Sequence, residues 1–167
     1  MRVAVLAVLA LVATVTQASC AQEHPPCDPD AADPTAVLGT GVDEAFDAIE
    51  PGDSAGLVTA PQGGMGVSVR VLTTGLDPGS VDVLLDTRID GETTGSFLNE
   101  GVRLYCQEDD VHGMIWGVVV GFDQDDYGTN DELLGLNGQE VDLVVTITDK
   151  FDVSAVGTVP VTIEVGG

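Results

Sequence analysis

From Val67 to the C-terminus, apolar side chains recur at every second position. Val67, Val69 and Val71 share one face and Ser68 and Arg70 the other; Val81, Val83 and Leu85 repeat the pattern. Val102, Leu104 and Cys106 alternate with Arg103, Tyr105 and Gln107. Near the end, Val141, Leu143, Val145 and Ile147 alternate with Asp142, Thr146 and Thr148, and Val159, Val161, Ile163 and Val165 with Pro160, Thr162 and Glu164. A period of two places the apolar set on one side of a pleated strand. Val111 to Phe122 differs, because His112, Met114, Trp116, Val118, Val120 and Phe122 face opposite a row that is itself apolar or glycine. Such a strand belongs in the middle of a sheet or beneath a covering loop. Pro160 has no N–H to donate, so its strand is expected at an edge or with that nitrogen turned away from its neighbour.

Turn residues separate these runs at Pro51-Gly52, Gly63-Gly64, Asp77-Pro78-Gly79, Asp90-Gly91, Asn99-Glu100-Gly101, Asn137-Gly138 and Asp149-Lys150. Helix signals are nearly absent; Asp43 to Glu50 reads as a short helix or a strand stopped by Pro51. The predicted fold is all-β, an immunoglobulin-like antiparallel β-sandwich of about seven strands. Trp116 follows Cys106 by ten residues with no later cysteine, so no inter-sheet bond of the antibody type is expected.

The N-terminus departs from this pattern. One basic residue, Arg2, precedes an apolar and small-residue run from Val3 to Val15, which has the length of a secretory signal core. Residues 1–19 therefore read as a signal peptide. Ala18-Ser19-Cys20 resembles the end of a bacterial lipobox, which would make Cys20 a lipidated first residue. Cleavage after Ala18 or Ala21 by ordinary signal peptidase is the alternative. Residues 20–37 are acidic, rich in proline and aperiodic, as expected of a disordered tether, and residues 38–167 form the predicted sandwich domain. Export to the outer membrane as a lipoprotein, or to the periplasm or exterior, follows from either cleavage.

Export also governs the cysteines. With Cys20 at the new terminus or removed, Cys27 and Cys106 remain in an oxidising compartment, and a disulfide is expected over the alternative of two free thiols. The formal net charge of the chain is −23. Beyond the leader its only cations are Arg70, Arg88, Arg103 and Lys150. Such a surface repels nucleic acid and anionic lipid, so membrane attachment is expected only through a lipid anchor. An unknown protein or envelope partner and a monomeric chain are the remaining expectations.

Leu38-Gly39-Thr40-Gly41, Pro61-Gln62-Gly63-Gly64 and Gly75-Leu76-Asp77-Pro78 resemble motifs of uncharacterised exported bacterial β-sandwich proteins and lipoproteins, with an LGTG-like opening and a PQGG turn leading into a strand. The resemblance spans Leu38 to Val165 and implies export and a sandwich fold. It implies no activity.

Candidate chemistry is sparse. Phe122 to Glu132 holds five carboxylates in eleven residues. As an EF-hand loop from Asp123 it would need an oxygen ligand at Tyr127 and glutamate at Leu134, so it is not one. Asp123, Asp125, Asp126, Asn130, Asp131 and Glu132 remain a candidate calcium set; the competing reading is a solvated hairpin tip turned by Gly128, with no cofactor. A copper site from Cys106, His112 and Met114 lacks a second histidine outside the N-terminal stretch. No Gly-x-Ser-x-Gly elbow accompanies His112. Tyr105, Trp116, Phe122 and Tyr127 are the only aromatic residues placed for a carbohydrate platform, and core packing accounts for Trp116. The sequence thus points first to a non-catalytic surface or periplasmic module for adhesion, scaffolding or partner binding. A calcium-stabilised extracellular binding domain is the alternative, and a small secreted hydrolase with a carboxylate pair ranks third.

Overall fold

A computed structural model describes residues 27–60 and 63–166. Residues 1–19, read above as a signal peptide, together with Cys20 and His24, lie outside the described residues. Ten strands and two short helices follow one another along the chain. They are β1 (Thr35–Thr40), β2 (Asp47–Ala48), β3 (Ser54–Thr59), β4 (Met65–Thr74), β5 (Val81–Ile89), β6 (Glu92–Val102), β7 (Tyr105–Cys106), β8 (Gly113–Gly121), α1 (Gln124–Tyr127), α2 (Asn130–Gly135), β9 (Glu140–Asp149) and β10 (Ser154–Glu164). The expected all-β fold is observed, with ten strands where about seven were expected, the short β2 and β7 among them.

One layer has β4 at its centre. β8 pairs along one side of β4, while β1 and β3 pair with successive stretches of the other side. The second layer runs β10, β9, β5, β6 in antiparallel order. β3 belongs to both. Its first half, Ser54 to Gly56, pairs with Thr162 to Glu164 of β10, and its second half, Leu57 to Thr59, with β4. The β3–β10 pairing is parallel, so the sheet is mixed where an all-antiparallel one was expected. Pro160 sits just before that junction, in the part of β10 that pairs with β9 alone, as a residue without an N–H requires.

The alternating valines, leucines and isoleucines fill the space between the layers. Val71, Val83, Leu85, Val141, Leu143, Ile147, Val161 and Ile163 are fully buried. Each such side chain contributes about 1.5–3 kcal/mol relative to exposure. Asp90 and Gly91 turn β5 into β6 with φ of 52° and 83°, the doubly left-handed pair that a two-residue hairpin loop demands. The Asn99-Glu100-Gly101 turn is not a turn. It lies inside β6, where the register against β5 shifts between Val81 and Val83, so the extra residue is absorbed as a bulge.

Ordered structure also begins before Leu38, the expected domain start. Cys27 is buried and bonded to Cys106, with a Cα–Cα separation of 5.2 Å. The Asp28 N–H donates to the Asp110 carbonyl at 2.9 Å. β1 starts at Thr35 and places Ala36 and Leu38 in the core. The disulfide thus fastens the start of residues 27–34 to the end of β7, closing a loop worth about 4 kcal/mol by the chain-entropy model.

A buried carboxylate organises the neighbouring turn, at the same end of the molecule. Asp149, only 6% exposed, accepts hydrogen bonds from the N–H groups of Phe151 (2.8 Å), Val153 (3.0 Å) and Asp77 (3.0 Å). It shapes the β9–β10 turn and fastens the β4–β5 loop to it. The Lys150 ammonium bonds Asp77 at 2.9 Å, and that contact leads the causes that hold the Asp77 carboxyl below its ordinary value. Asp149→Ala leaves three N–H donors without their acceptor, so a loss of about 2–4 kcal/mol is expected. A denaturant midpoint unchanged from wild type would show that water replaces the carboxylate without penalty.

Candidate functional site

The sandwich is closed along one side by β3 and only partly along the other. There the edge strands β6 and β8 touch at one end: Gly95 lies against the Gly121 carbonyl, and the Asp123 N–H donates to the Thr94 carbonyl at 2.7 Å. Beyond that point they diverge and leave a shallow cleft of about 180 Å³. Phe97 and Asn99 of β6, Arg103 and Tyr105 of the crossing segment, and Trp116 and Val118 of β8 line it. No lining residue is acidic, in a chain with 28 Asp and Glu.

Trp116 is not in the core. Period-two alternation puts it beside Met114 and Val118, but β8 carries a bulge. Val69 and Val71 of β4 face Val118 and Ile115, so Trp116 and Gly117 together oppose Arg70. Gly117 has φ of 62°, which a residue with a Cβ adopts only at a steric cost. The extra residue reverses the facing of the strand: Ile115, Val118 and Val120 pack inward, and the indole turns out, 41% exposed. Arg70 holds it there. Its guanidinium lies 5.4 Å from the indole centroid and donates to the carbonyls of Asp43 (2.6 Å) and Ala45 (2.8 Å). The Tyr105 ring, 61% exposed, stands 5.5 Å from the indole and tilted by 39°. Arg103 is exposed and has no ion-pair partner among the described residues.

The four aromatic residues named from sequence thus separate into two pairs. Tyr105 and Trp116 meet at the cleft. Phe122 is buried and meets half-buried Tyr127 edge-on, at 5.5 Å, under the helical connection. The outward indole was hidden from sequence reasoning because a bulge leaves no mark on the hydrophobic pattern; the Trp116-Gly117 dipeptide within an apolar run was the one available sign.

Asp123 to Glu132 folds as two helical turns, not a hairpin tip. The Asp123 carboxylate caps α1 by accepting from the Asp125 N–H at 2.9 Å. Thr129 and Glu132 form a reciprocal capping box on α2: the Thr129 hydroxyl accepts from the Glu132 N–H, and the Glu132 carboxylate from the Thr129 N–H. Hydrogen bonding to Thr129, side chain first and backbone next, holds the exposed Glu132 carboxyl below the usual range. Asp125, Asp126 and Asp131 lie in the first turns, where helix N–H groups favour negative charge. The Thr-x-x-Glu spacing and the apolar Leu133 and Leu136 were legible signs of this helix. Among the described residues, no three His, Cys, Asp or Glu side chains gather as a metal site would need. Thr129→Ala removes a cap worth about 1 kcal/mol and should lower the melting temperature by about 2–4 °C, equally in calcium and in chelator. A rise of several degrees specific to calcium would restore the metal reading.

Copper and triad readings meet similar geometry. Cys106 is in the disulfide, and Met114 is buried. The His112 imidazole pairs with Asp109 at 2.6 Å on the surface, at the mouth of the turn before β8. Asp109 is held at about 2, against 3.8 ordinarily, first by the His112 N–H, then by the Val111 N–H, then by the imidazole. A carboxyl with a depressed folded value stabilises the fold above its unfolded value and ceases to do so as pH falls through the folded one. Asp109→Asn should therefore flatten part of the acid-induced decline in melting temperature between pH 3.8 and about 2, an effect kept small by solvent screening. Superimposable wild-type and variant profiles in that window would count against it.

A second cleft of about 330 Å³ lies where β3 passes between the layers, beside Ser54, Ser68 and a single carboxylate, Asp53. Asp53 is engaged by the Glu50 N–H at 2.9 Å. Neither cleft brings two carboxylates together.

No family model matches the chain, and no curated protein matches it. Among solved structures, the CooA pilin subunit from enterotoxigenic Escherichia coli aligns over 80% of this chain and 100% of its own, at 12% identity and a TM-score of 0.37. A likeness of that strength carries no conclusion about role.

Proposed function

We propose that the protein is an exported, non-catalytic binding module of the cell surface or periplasm, attached through Cys20 when the leader is processed as a lipoprotein. One observation carries the reading: the Tyr105–Trp116 ring pair, beside a bulge in β8 and held by Arg70, at a cleft lined by no carboxylate, histidine, serine or cysteine. Aromatic residues that remain exposed on rigid elements serve contact better than they serve stability. The Cys27–Cys106 bond supports an oxidising compartment, where thiols of this kind stay paired. The resemblance of residues 38–41, 61–64 and 75–78 to exported bacterial sandwich proteins supports the same location.

The test is fractionation of cells producing the full chain, combined with mass analysis. The expected protein is envelope-associated, cleaved just before Cys20, oxidised at Cys27–Cys106, and released to the soluble exported fraction by Cys20→Ala. A cytoplasmic, uncleaved chain with free thiols would overturn the reading.

A further inference from the structure

Resting on the binding-module reading, we infer that the cleft between β6 and β8 binds an uncharged glycan, one pyranose ring against Tyr105 and Trp116 with its hydroxyls on Arg103 and Asn99. The rings supply an exposed apolar surface for the C–H face of a sugar, and they are preorganised. Trp116 is fixed by the bulge and by Arg70, which is itself anchored to two backbone carbonyls. A platform that loses little side-chain freedom on binding converts more of its contact into affinity. At the rim, the Arg103 guanidinium and the Asn99 amide offer donors to the acceptor-rich hydroxyl edge of a pyranose.

Charge selects within that chemistry. Arg103 lines this cleft, Arg70 lies against the Trp116 ring, and the lining has no carboxylate, so a cationic ligand is repelled locally. The whole molecule carries −23, so a polyanion spreading over its surface is repelled at longer range. A neutral ligand meets neither barrier. Size and register disfavour an added peptide strand: about 180 Å³ is small for a strand running the length of β8, and the bulge at Trp116–Gly117 interrupts the ladder that it would have to follow.

The chain has one tryptophan, so its emission reports this site alone. The full chain recovered with its disulfide intact would be titrated with neutral malto-, cello-, xylo- and N-acetylated chito-oligosaccharides, with oligouronates and a strand-forming peptide as controls. At least one neutral series is expected to change Trp116 emission at or below about 10 mM, the regime of single-ring recognition. Its affinity should not change between low and high salt, since no ion pair is formed. Tyr105→Ala should weaken it at least about tenfold by fluorescence, and Trp116→Ala likewise by calorimetry. Arg103→Ala, at an exposed position that folding does not depend on, should weaken it several-fold. No response to any neutral sugar overturns the inference, as does binding by the oligouronates or the peptide alone. Neither result bears on export, which fractionation reads separately.

Discussion

The fold depends on β3 serving two partners. Six residues pair first with β10 and then with β4, and that handover joins the two layers into one curled sheet. Closing one side in this way fixes the separation of the layers there, and the buried side chains of β4, β9 and β10 fill it. The opposite side has no shared strand. β6 and β8 approach closely at Gly95 and Gly121, where a Cβ on Gly95 would meet the Gly121 carbonyl, and leave a cleft beyond that point. The cleft is thus a consequence of asymmetric closure: one side has a strand that belongs to both sheets, and the other has two edges that do not pair.

The bulge in β8 belongs to the same geometry. An edge strand that paired regularly with β4 would put Trp116 on the same face as Val118 and Val120. Inserting one residue at Gly117 brings the smaller Ile115 and Val118 inward and sends the indole out. The exposed ring then needs support, and Arg70, directly opposite on β4, gives it. Exposure and rigidity at this site therefore have a common origin in the backbone.

These features mark the limit of what the sequence made legible. Long strands with one buried face, such as β9 and β10, follow from alternation alone, since a period of two fixes the facing of every residue. The disulfide followed from compartment and arithmetic, and the Asp90–Gly91 hairpin from turn chemistry. What escaped were departures of a single residue: the bulges in β6 and β8, and the helical turns hidden in an acidic stretch. A bulge conserves composition and shifts phase, so a reading by alternation places every residue beyond it on the wrong face. In Asp123 to Glu132 the number of carboxylates drew attention to a metal, while the position of Thr129 relative to Glu132 carried the structural information. Leu38-Gly39, Gly63-Gly64 and Gly75-Leu76 proved to be the end of β1, a turn and the start of a loop. The motifs that suggested relatives are thus sites of backbone constraint.

Electrostatics gives the remaining step. The chain has 28 acidic residues and almost no cations, and many of its carboxylates accept backbone N–H groups, among them Asp149 at the β9–β10 turn, Asp109 before β8, and Asp123 and Glu132 at the helices. The acidic excess therefore organises turns as well as aiding solubility. The cleft is the exception, where carboxylates are absent and arginines gather. An acid-free patch is not needed for stability, since Arg103 pairs with nothing among the described residues and Tyr105 remains mostly exposed. The proposed contact site is thus the part of the surface that departs from the composition of the whole, where two rings are held on the open side of the sandwich.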